Sequence, residues 1–381
     1  MWKDRRRIAI VLAAAATVVA AIATAGLRAE PPASTVAPST AAAPTATPIA
    51  DAPRVVFTRS VLLQGGMTTQ AYDAFVILSA GRPSQSHTVA GVAIGTPVFD
   101  GRDRIAYWRT ASITATPFAL SGPYEVVVMD VRAGREHVLL TLTDERSNGE
   151  LLWAADRKSL VVSTRTAPGS TSSIQNRLIL VDADTGATRV LHVSQGDAGI
   201  GPLYADAQVV VAVRGASYVV LDAASGVVRG QTPLRVVTSF LQQHAEFASS
   251  PDGTIVELHR RYESEAGPLW IWNVRDPGTD IAKVDQRGIW DPIFWPGRTE
   301  VVFSGATGLM AVDYRTGLTR QLVSSPGVHR IVAVETSGRF ALGQTQSSLQ
   351  IYERTGDDLK ARLDLSFATE SLLQPLGVFL P

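Results

Sequence analysis

The sequence predicts an all-β fold: a seven-bladed β-propeller of four-stranded antiparallel blades, preceded by an N-terminal apolar helix and a disordered linker. Three observations predict it. Seven times, a hydrophobic strand runs into a polar turn closed by glycine, at Gly81, Gly134, Gly186, Gly226, Gly278, Gly317 and Gly356. The intervals are 53, 52, 40, 52, 39 and 39 residues, the length of one propeller blade. A second element, a proline or serine-proline followed by an aromatic and a tight turn, recurs once per interval.

The glycine turns are clearest at Val181-Asp182-Ala183-Asp184-Thr185-Gly186, Leu221-Asp222-Ala223-Ala224-Ser225-Gly226 and Val312-Asp313-Tyr314-Arg315-Thr316-Gly317. Aspartate hydrogen-bonds its own backbone and glycine accepts positive φ, so these read as turns between strands. The second element appears at Pro97-Val98-Phe99-Asp100-Gly101, Pro202-Leu203-Tyr204-Ala205-Asp206, Phe247-Ala248-Ser249-Ser250-Pro251-Asp252-Gly253 and Pro292-Ile293-Phe294-Trp295-Pro296-Gly297. Each is followed by a β run. The unit is therefore strand A, tight turn, strand B, loop, strand C, Asp-x-x-Thr-Gly turn, strand D. The first unit has strands B, C and D (Val55 to Thr58, Ala74 to Leu78, His87 to Gly91) but no strand A. Leu372-Leu373-Gln374-Pro375-Leu376 is a spare candidate that carries the same proline. It is expected to close the ring, which would remove the sheet edges. Six or eight blades remain the alternatives.

Ser250-Pro251-Asp252-Gly253 before a strand, together with the Asp-x-x-Thr/Ser-Gly turns, resembles the TolB-like and WD-repeat-like extracytoplasmic propellers over residues 54–381. The recurring Gly-His and Trp-Asp pairs of true WD repeats are missing: no Gly-His pair occurs and the Trp-Asp pair at 290–291 does not repeat. The resemblance implies a ring of blades around a central channel, used mostly for binding, with some relatives acting as enzymes or enzyme-attached gates.

Composition bounds the function. Lys+Arg and Asp+Glu are both 35, so the chain is neutral, which argues against a nucleic-acid partner. There is no cysteine, which excludes disulfides, thiolate metal sites and cysteine nucleophiles. Residues 1–29 read as a signal peptide or membrane anchor. Lys3, Arg5, Arg6 and Arg7 precede an uncharged run of 20 residues from Ile8 to Leu27, just long enough to span a bilayer with its basic end inside. The length of the run favours an anchor, and Ala23-Thr24-Ala25 offers a cleavage site for the alternative, a secreted chain. Residues 30–53, rich in Pro, Ala and Thr, read as a linker. Either way the propeller is expected outside the cytoplasm, touching the membrane through the N-terminal segment only.

Long B–C loops are expected at about 60–71, 110–123, 166–176 and 260–268, and they mark the face on which to look for a site. Aligning the A strands on their aromatics places Thr96, Glu150, Gly201, His244, Asp291, Ile331 and Gln374 in one ring at the channel mouth. Thr96, Glu150, His244, Asp291 and Gln374 are the candidate ligand-binding residues, with Trp290 and Arg330 beside them. No nucleophile elbow, zinc motif or phosphate loop is present, and no cofactor or metal is expected. The reading is a non-catalytic module that binds a protein, peptide or cell-envelope component through its long-loop face. The alternative is a lyase or hydrolase of polysaccharide, ester or lactone, with Glu150, His244 and Asp291 as acid–base or metal groups.

Overall fold

The chain divides into two units, residues 1–48 and 49–381. A computed structural model describes residues 52–60, 71–79, 82–113, 120–143, 145–146, 149–166, 174–196, 199–235, 244–260, 266–285, 289–305, 307–325, 327–345, 348–365 and 373–380. The expected N-terminal helix and linker, and the tips of the four long B–C loops, lie outside the described residues. Among those described, no helix is long and apolar enough to cross a membrane.

The described unit is all-β, in six sheets arranged in a propeller-like way. The first sheet has seven strands in the order β29-β1-β2-β3-β4-β5-β6. These are β1 (Arg54–Ser60), β2 (Ala71–Ser79), β3 (Arg82–Phe99), β4 (Arg104–Ile113), β5 (Leu120–Asp130), β6 (Arg135–Leu142) and β29 (Leu373–Phe379). The second sheet holds β7 (Glu145–Arg146), β8 (Leu151–Trp153), β9 (Ser159–Thr166), β10 (Gln175–Asp182) and β11 (Thr188–Gln195). Three four-stranded sheets follow. They are β12 (Ile200–Ala205) to β15 (Val228–Pro233) through β13 (Val209–Arg214) and β14 (Ser217–Asp222); β16 (His244–Ser249) to β19 (Asp276–Val284) through β17 (Thr254–Arg260) and β18 (Ala266–Asn273); and β20 (Trp290–Trp295) to β23 (Thr319–Gln321) through β21 (Glu300–Gly305) and β22 (Gly308–Asp313). The last sheet has β24 (Val323–Ser325), β25 (Arg330–Val334), β26 (Phe340–Gln344), β27 (Leu349–Thr355) and β28 (Asp358–Asp364).

Three details depart from a plain succession of four-stranded antiparallel blades. β3 is a single strand of 18 residues that pairs with β2 in its first part and with β4 in its second. It turns at Gly91 and Gly95, with φ of 104° and 74°. A side chain at Gly91 would sit 2.6 Å from the Thr110 carbonyl oxygen, so only glycine fits that crossing. In the last sheet β24 adds a fifth strand, parallel to β28. The turn expected to end at Gly278 is displaced as well. Gly278 lies inside β19, and the turn is made by Asn273, whose Oδ1 accepts the Arg275 amide at 3.0 Å.

The other Asp turns form as their chemistry dictates. Asp182 Oδ1 accepts the amides of Asp184 and Thr185 and the Thr185 hydroxyl at 2.7–3.1 Å. Asp222 and Asp313 repeat the pattern with Ser225 and Thr316. Gly186, Gly226 and Gly317 close these turns with φ of 71°, 72° and 72°. The three carboxyls are held below the usual range, Asp182 chiefly by the Thr185 hydroxyl, Asp222 chiefly by the Arg229 guanidinium and Asp313 chiefly by the Thr299 hydroxyl, with the turn amides adding to each.

Strand alternation puts apolar side chains on both faces of the sheets, so each sheet must pack against two neighbours. Seven apolar clusters result among the described residues. One lies inside the first sheet, where Val56, Phe75 and Ile77 meet Ile105, Tyr107 and Val127. Five join successive sheets. The seventh joins the last sheet to the first, with Leu342 and Ile351 against Val55, Phe57 and Val378. β29 lies antiparallel to β1, from Arg59 opposite Leu373 to Arg54 opposite Phe379.

A buried ionic joint reinforces one packed pair. Arg354 on β27 is wholly buried and donates to Glu300 on β21 at 2.6 Å, while its guanidinium stacks 4.4 Å from the Trp295 ring. Arg320 on β23 reaches the other Glu300 oxygen. Burial alone would raise the Glu300 carboxyl, but the hydrogen bonds from Arg320 and Arg354 outweigh it and hold the group below its ordinary 4.5.

Two predictions follow from these contacts. Arg354→Ala leaves Glu300 with Arg320 as its close partner and should cost about 1.5–3 kcal/mol in chemical denaturation, the range for a hydrogen bond to a charged group. Because the folded Glu300 pKa is depressed, its stabilising contribution is complete above pH 4.5 and is lost as pH falls through the folded value. The variant should therefore show a shallower acid loss of stability than the wild type. Gly317→Ala should cost roughly 1–2 kcal/mol for its left-handed backbone alone, since the new methyl meets only Ala282 Cβ at 3.6 Å. Gly226→Ala should cost clearly more, because its methyl would overlap the Leu191 carbonyl oxygen; paired thermal melts separate the two.

Candidate functional site

Seven strands stand at the inner edges of the sheets: the second half of β3, then β8, β12, β16, β20, β25 and β29. Each lies beside the next, and β29 lies beside β3, so the series returns to its start. Four carry the proline noted in the sequence: Pro97, Pro202, Pro292 and Pro375. Each sits where register slips, between Ile94 and Val98, between Pro202 and Tyr204, between Trp290 and Ile293, and where Gly377 and Pro375 face Val56 and Phe57. Proline donates no ladder hydrogen bond, so an inner edge strand with a bulge is where a sheet tolerates it.

The sequence-predicted residues lie along the starting halves of these strands. Thr96 is exposed on β3. Glu150 immediately precedes β8, and its backbone carbonyl accepts the Ser163 amide at 3.0 Å. Part of Glu150 is open to solvent, yet its carboxylate lies over Gly201, where a side chain on residue 201 would overlap it. Burial there pushes the Glu150 carboxyl up. His244 opens β16 opposite Arg260; its side chain lies outside the described residues. Trp290 is partly buried on β20. Asp291, with a left-handed φ of 50°, pairs with Arg330 on β25 at 3.1 Å. Gln374 is exposed on β29 and its carbonyl accepts the Thr58 hydroxyl at 3.4 Å. The structure thus brings Asp291 and Arg330 into direct contact. Glu150 and Asp291 stand on strands separated by β12 and β16.

The other end of the inner strands holds a feature that the sequence reading missed. A cavity of about 150 Å³ lies at the finishing ends of β3, β8, β12 and β16, lined by Phe99, Asp100, Trp153, Arg157, Tyr204 and Ser250 among others. Its aromatic walls have committed polar tips. The Trp153 indole N–H donates to the Val98 carbonyl at 3.1 Å. The Tyr204 hydroxyl contacts Asp206 at 2.9 Å and the Pro251 carbonyl at 3.2 Å. Asp100 is buried and spent: one carboxylate oxygen accepts the amides of Arg102, Asp103 and Arg104, and the other takes Arg104 Nε. Arg104 in turn lies 4.8 Å over the Trp153 ring and donates to the Arg157 carbonyl.

Arg157 is the anomaly. Its amide closes a four-residue turn on the Ala154 carbonyl at 2.8 Å, as Gly253 does on Ser250 and Gly338 on Glu335. All three residues have positive φ, 61°, 82° and 73°, but only here is the residue not glycine. Burial, then the charge of Arg102, lowers the Arg157 pKa against the opposing pull of Asp100. The signal was present in the sequence, since Asp156-Arg157 occupies the place of Asp252-Gly253. Among the described residues, no group of three or more His, Asp or Glu side chains is arranged to hold a metal ion.

No protein-family model matches the chain, and no curated protein matches it. Solved structures do. An oligogalacturonate lyase in complex with manganese matches with a TM-score of 0.51 at 11% identity, over 84% of this chain and 92% of that one. An uncomplexed acylaminoacyl peptidase of Pyrococcus horikoshii matches with a TM-score of 0.50 at 12% identity, over 81% of this chain. This chain spans about half of that peptidase, 50% of its length. TolB from Acinetobacter baumannii matches at 15% identity with a TM-score of 0.41, over 70% of this chain and 62% of TolB. At such identities the likeness is one of fold. It assigns the chain to no family.

Proposed function

We propose that the described unit is a seven-bladed propeller and that the chain is an extracytoplasmic, non-catalytic binding module. The blade count follows from reading β3 as two strands, one on either side of its turn at Gly91–Gly95. The first sheet then becomes two blades, in keeping with seven apolar clusters and seven inner strands. The basic and apolar N-terminal segment holds the propeller at the outer face of a membrane, with residues 30–53 as spacer. Its ligand is a protein, peptide or cell-envelope component.

The observation that carries the binding reading is the height of one hairpin. β4 and β5 stay paired out to Ile113 opposite Leu120, whereas β13 and β14 end at Arg214 opposite Ser217 and β21 and β22 at Gly305 opposite Gly308. β4 has 10 residues and β13 has 6, a difference of about 13 Å at ~3.3 Å per residue. β9 and β10, with 8 residues each, form a second raised hairpin, and β7 pairs with the B–C end of β9. Two neighbouring blades thus carry a raised rim on the face where the inner strands begin. Raised loops on a rigid scaffold are where recognition is placed. Thr96, Glu150, Trp290, Asp291, Arg330 and Gln374 line the floor inside that rim.

The enzyme reading draws on one observation, the Glu150 carboxyl raised by burial, as a general acid would need. Against it, Asp291 is engaged by Arg330 rather than facing Glu150.

Photocross-linking tests the assignment of the face. A cross-linkable residue replacing Ala111 on β4 should capture an envelope component when the full chain is expressed in its own cell. The same residue replacing Asp156, at the opposite end of the blades, should not. Capture from 156 and none from 111 would overturn the long-loop assignment.

A further inference from the structure

We propose that the cavity at the finishing ends of β3, β8, β12 and β16 is a binding site for an organic acid carrying a single aromatic ring, with the Arg157 guanidinium as its carboxylate contact. The cavity lies at the opposite end of the inner strands from the rim proposed above and does not depend on it.

The size and walls set the apolar half of the ligand. A volume of about 150 Å³ matches an engineered cavity that holds one benzene molecule. Phe99, Trp153 and Tyr204 present ring surfaces, and the N–H of Trp153 and the hydroxyl of Tyr204 are already engaged elsewhere. A flat ring meets such walls by stacked or edge-on contact.

Charge sets the polar half. Of the ionisable groups lining the cavity, Asp100 has both oxygens in use. Glu335 acts on Arg157 through space, but its carboxylate is bound to the Ser337 amide at 2.8 Å and to the hydroxyls of Thr336 and Ser337. Neither forms an ion pair with Arg157. Arg102 and Arg104 add positive charge around it. The Arg157 guanidinium reaches within 3.7 Å of where a side chain at Gly101 would begin, so it extends from the β8–β9 turn toward the β3–β4 turn. A partly desolvated guanidinium with no carboxylate partner is a ready site for a planar, bidentate anion.

The backbone supplies the reason to keep this side chain. A non-glycine residue in the left-handed region is strained, and two sister turns relieve the same conformation with Gly253 and Gly338. Arg157 retains the strain, and strain kept at a cavity wall marks a residue whose side chain is used.

The test is calorimetric titration of the full chain in detergent with phenylacetate, with phenylacetamide as the neutral counterpart. Wild type should bind the acid at least tenfold more tightly than the amide. Arg157→Gly should melt at the same or a higher temperature, because glycine suits the turn, and should lose that preference. Arg157→Asn, which also tolerates the left-handed backbone, gives a second folded variant with the same expected loss. Wild-type protein without preference for the acid, or either variant retaining it, overturns the proposal. N-acetyl-phenylalanine presents the same ring and carboxylate in the form of a peptide end. Tighter binding of it than of phenylacetate names a peptide terminus as the source, and weaker binding names a free acid.

Discussion

The structure depends on sheets that are apolar on both faces. A strand such as β4 sends Ala106 and Trp108 to one side and Ile105 and Tyr107 to the other, and all four are buried. No stack of such sheets with two ends can cover every face. The cluster formed by Leu342, Ile351, Val55 and Phe57 shows how the cost is avoided, because the last sheet packs on the first. The inner strands inherit their positions from this packing, and with them every residue considered for a site.

Charged groups buried in these joints come with a partner from the neighbouring sheet. Arg354 enters a closed space with two partners, Glu300 and the face of Trp295. Tyr218 and Glu257 are buried together in the same way: the tyrosine hydroxyl donates to the carboxylate, and Trp272 stacks 4.5 Å away. Desolvation, then the Glu257 charge, pushes the Tyr218 pKa far up, so it stays a neutral donor. Each pair bridges two successive sheets. At the cavity the pattern is broken, since Arg157 stands in its wall without a carboxylate partner.

What could be read from the sequence was local. The turns at Asp182, Asp222 and Asp313 follow from an acceptor two and three residues ahead of two amides, and such chemistry needs no knowledge of the rest of the chain. Gly278 was misread because glycine was followed rather than the acceptor; Asn273 makes that turn with the same side-chain oxygen. The cavity that Phe99, Trp153 and Tyr204 share was not visible in the alignment of the inner-strand aromatics. It is assembled by residues about fifty positions apart on four strands. The continuity of β3 was hidden because strand D was taken to end at Gly91 and the next inner strand to begin near Thr96, whereas the chain bends at Gly91 and Gly95 without leaving the ladder. The parallel strand β24 is three residues long and carries no pattern of its own.

The neighbour of β1 is supplied from far along the chain: Thr58 bonds to a carbonyl 316 residues later. On the ribosome, this means that the first sheet emerges with one edge bare and stays so until those 316 further residues have been made. Pairing with a foreign strand competes during that interval. The burden of protecting it falls on the cell's holding chaperones rather than on the folded molecule.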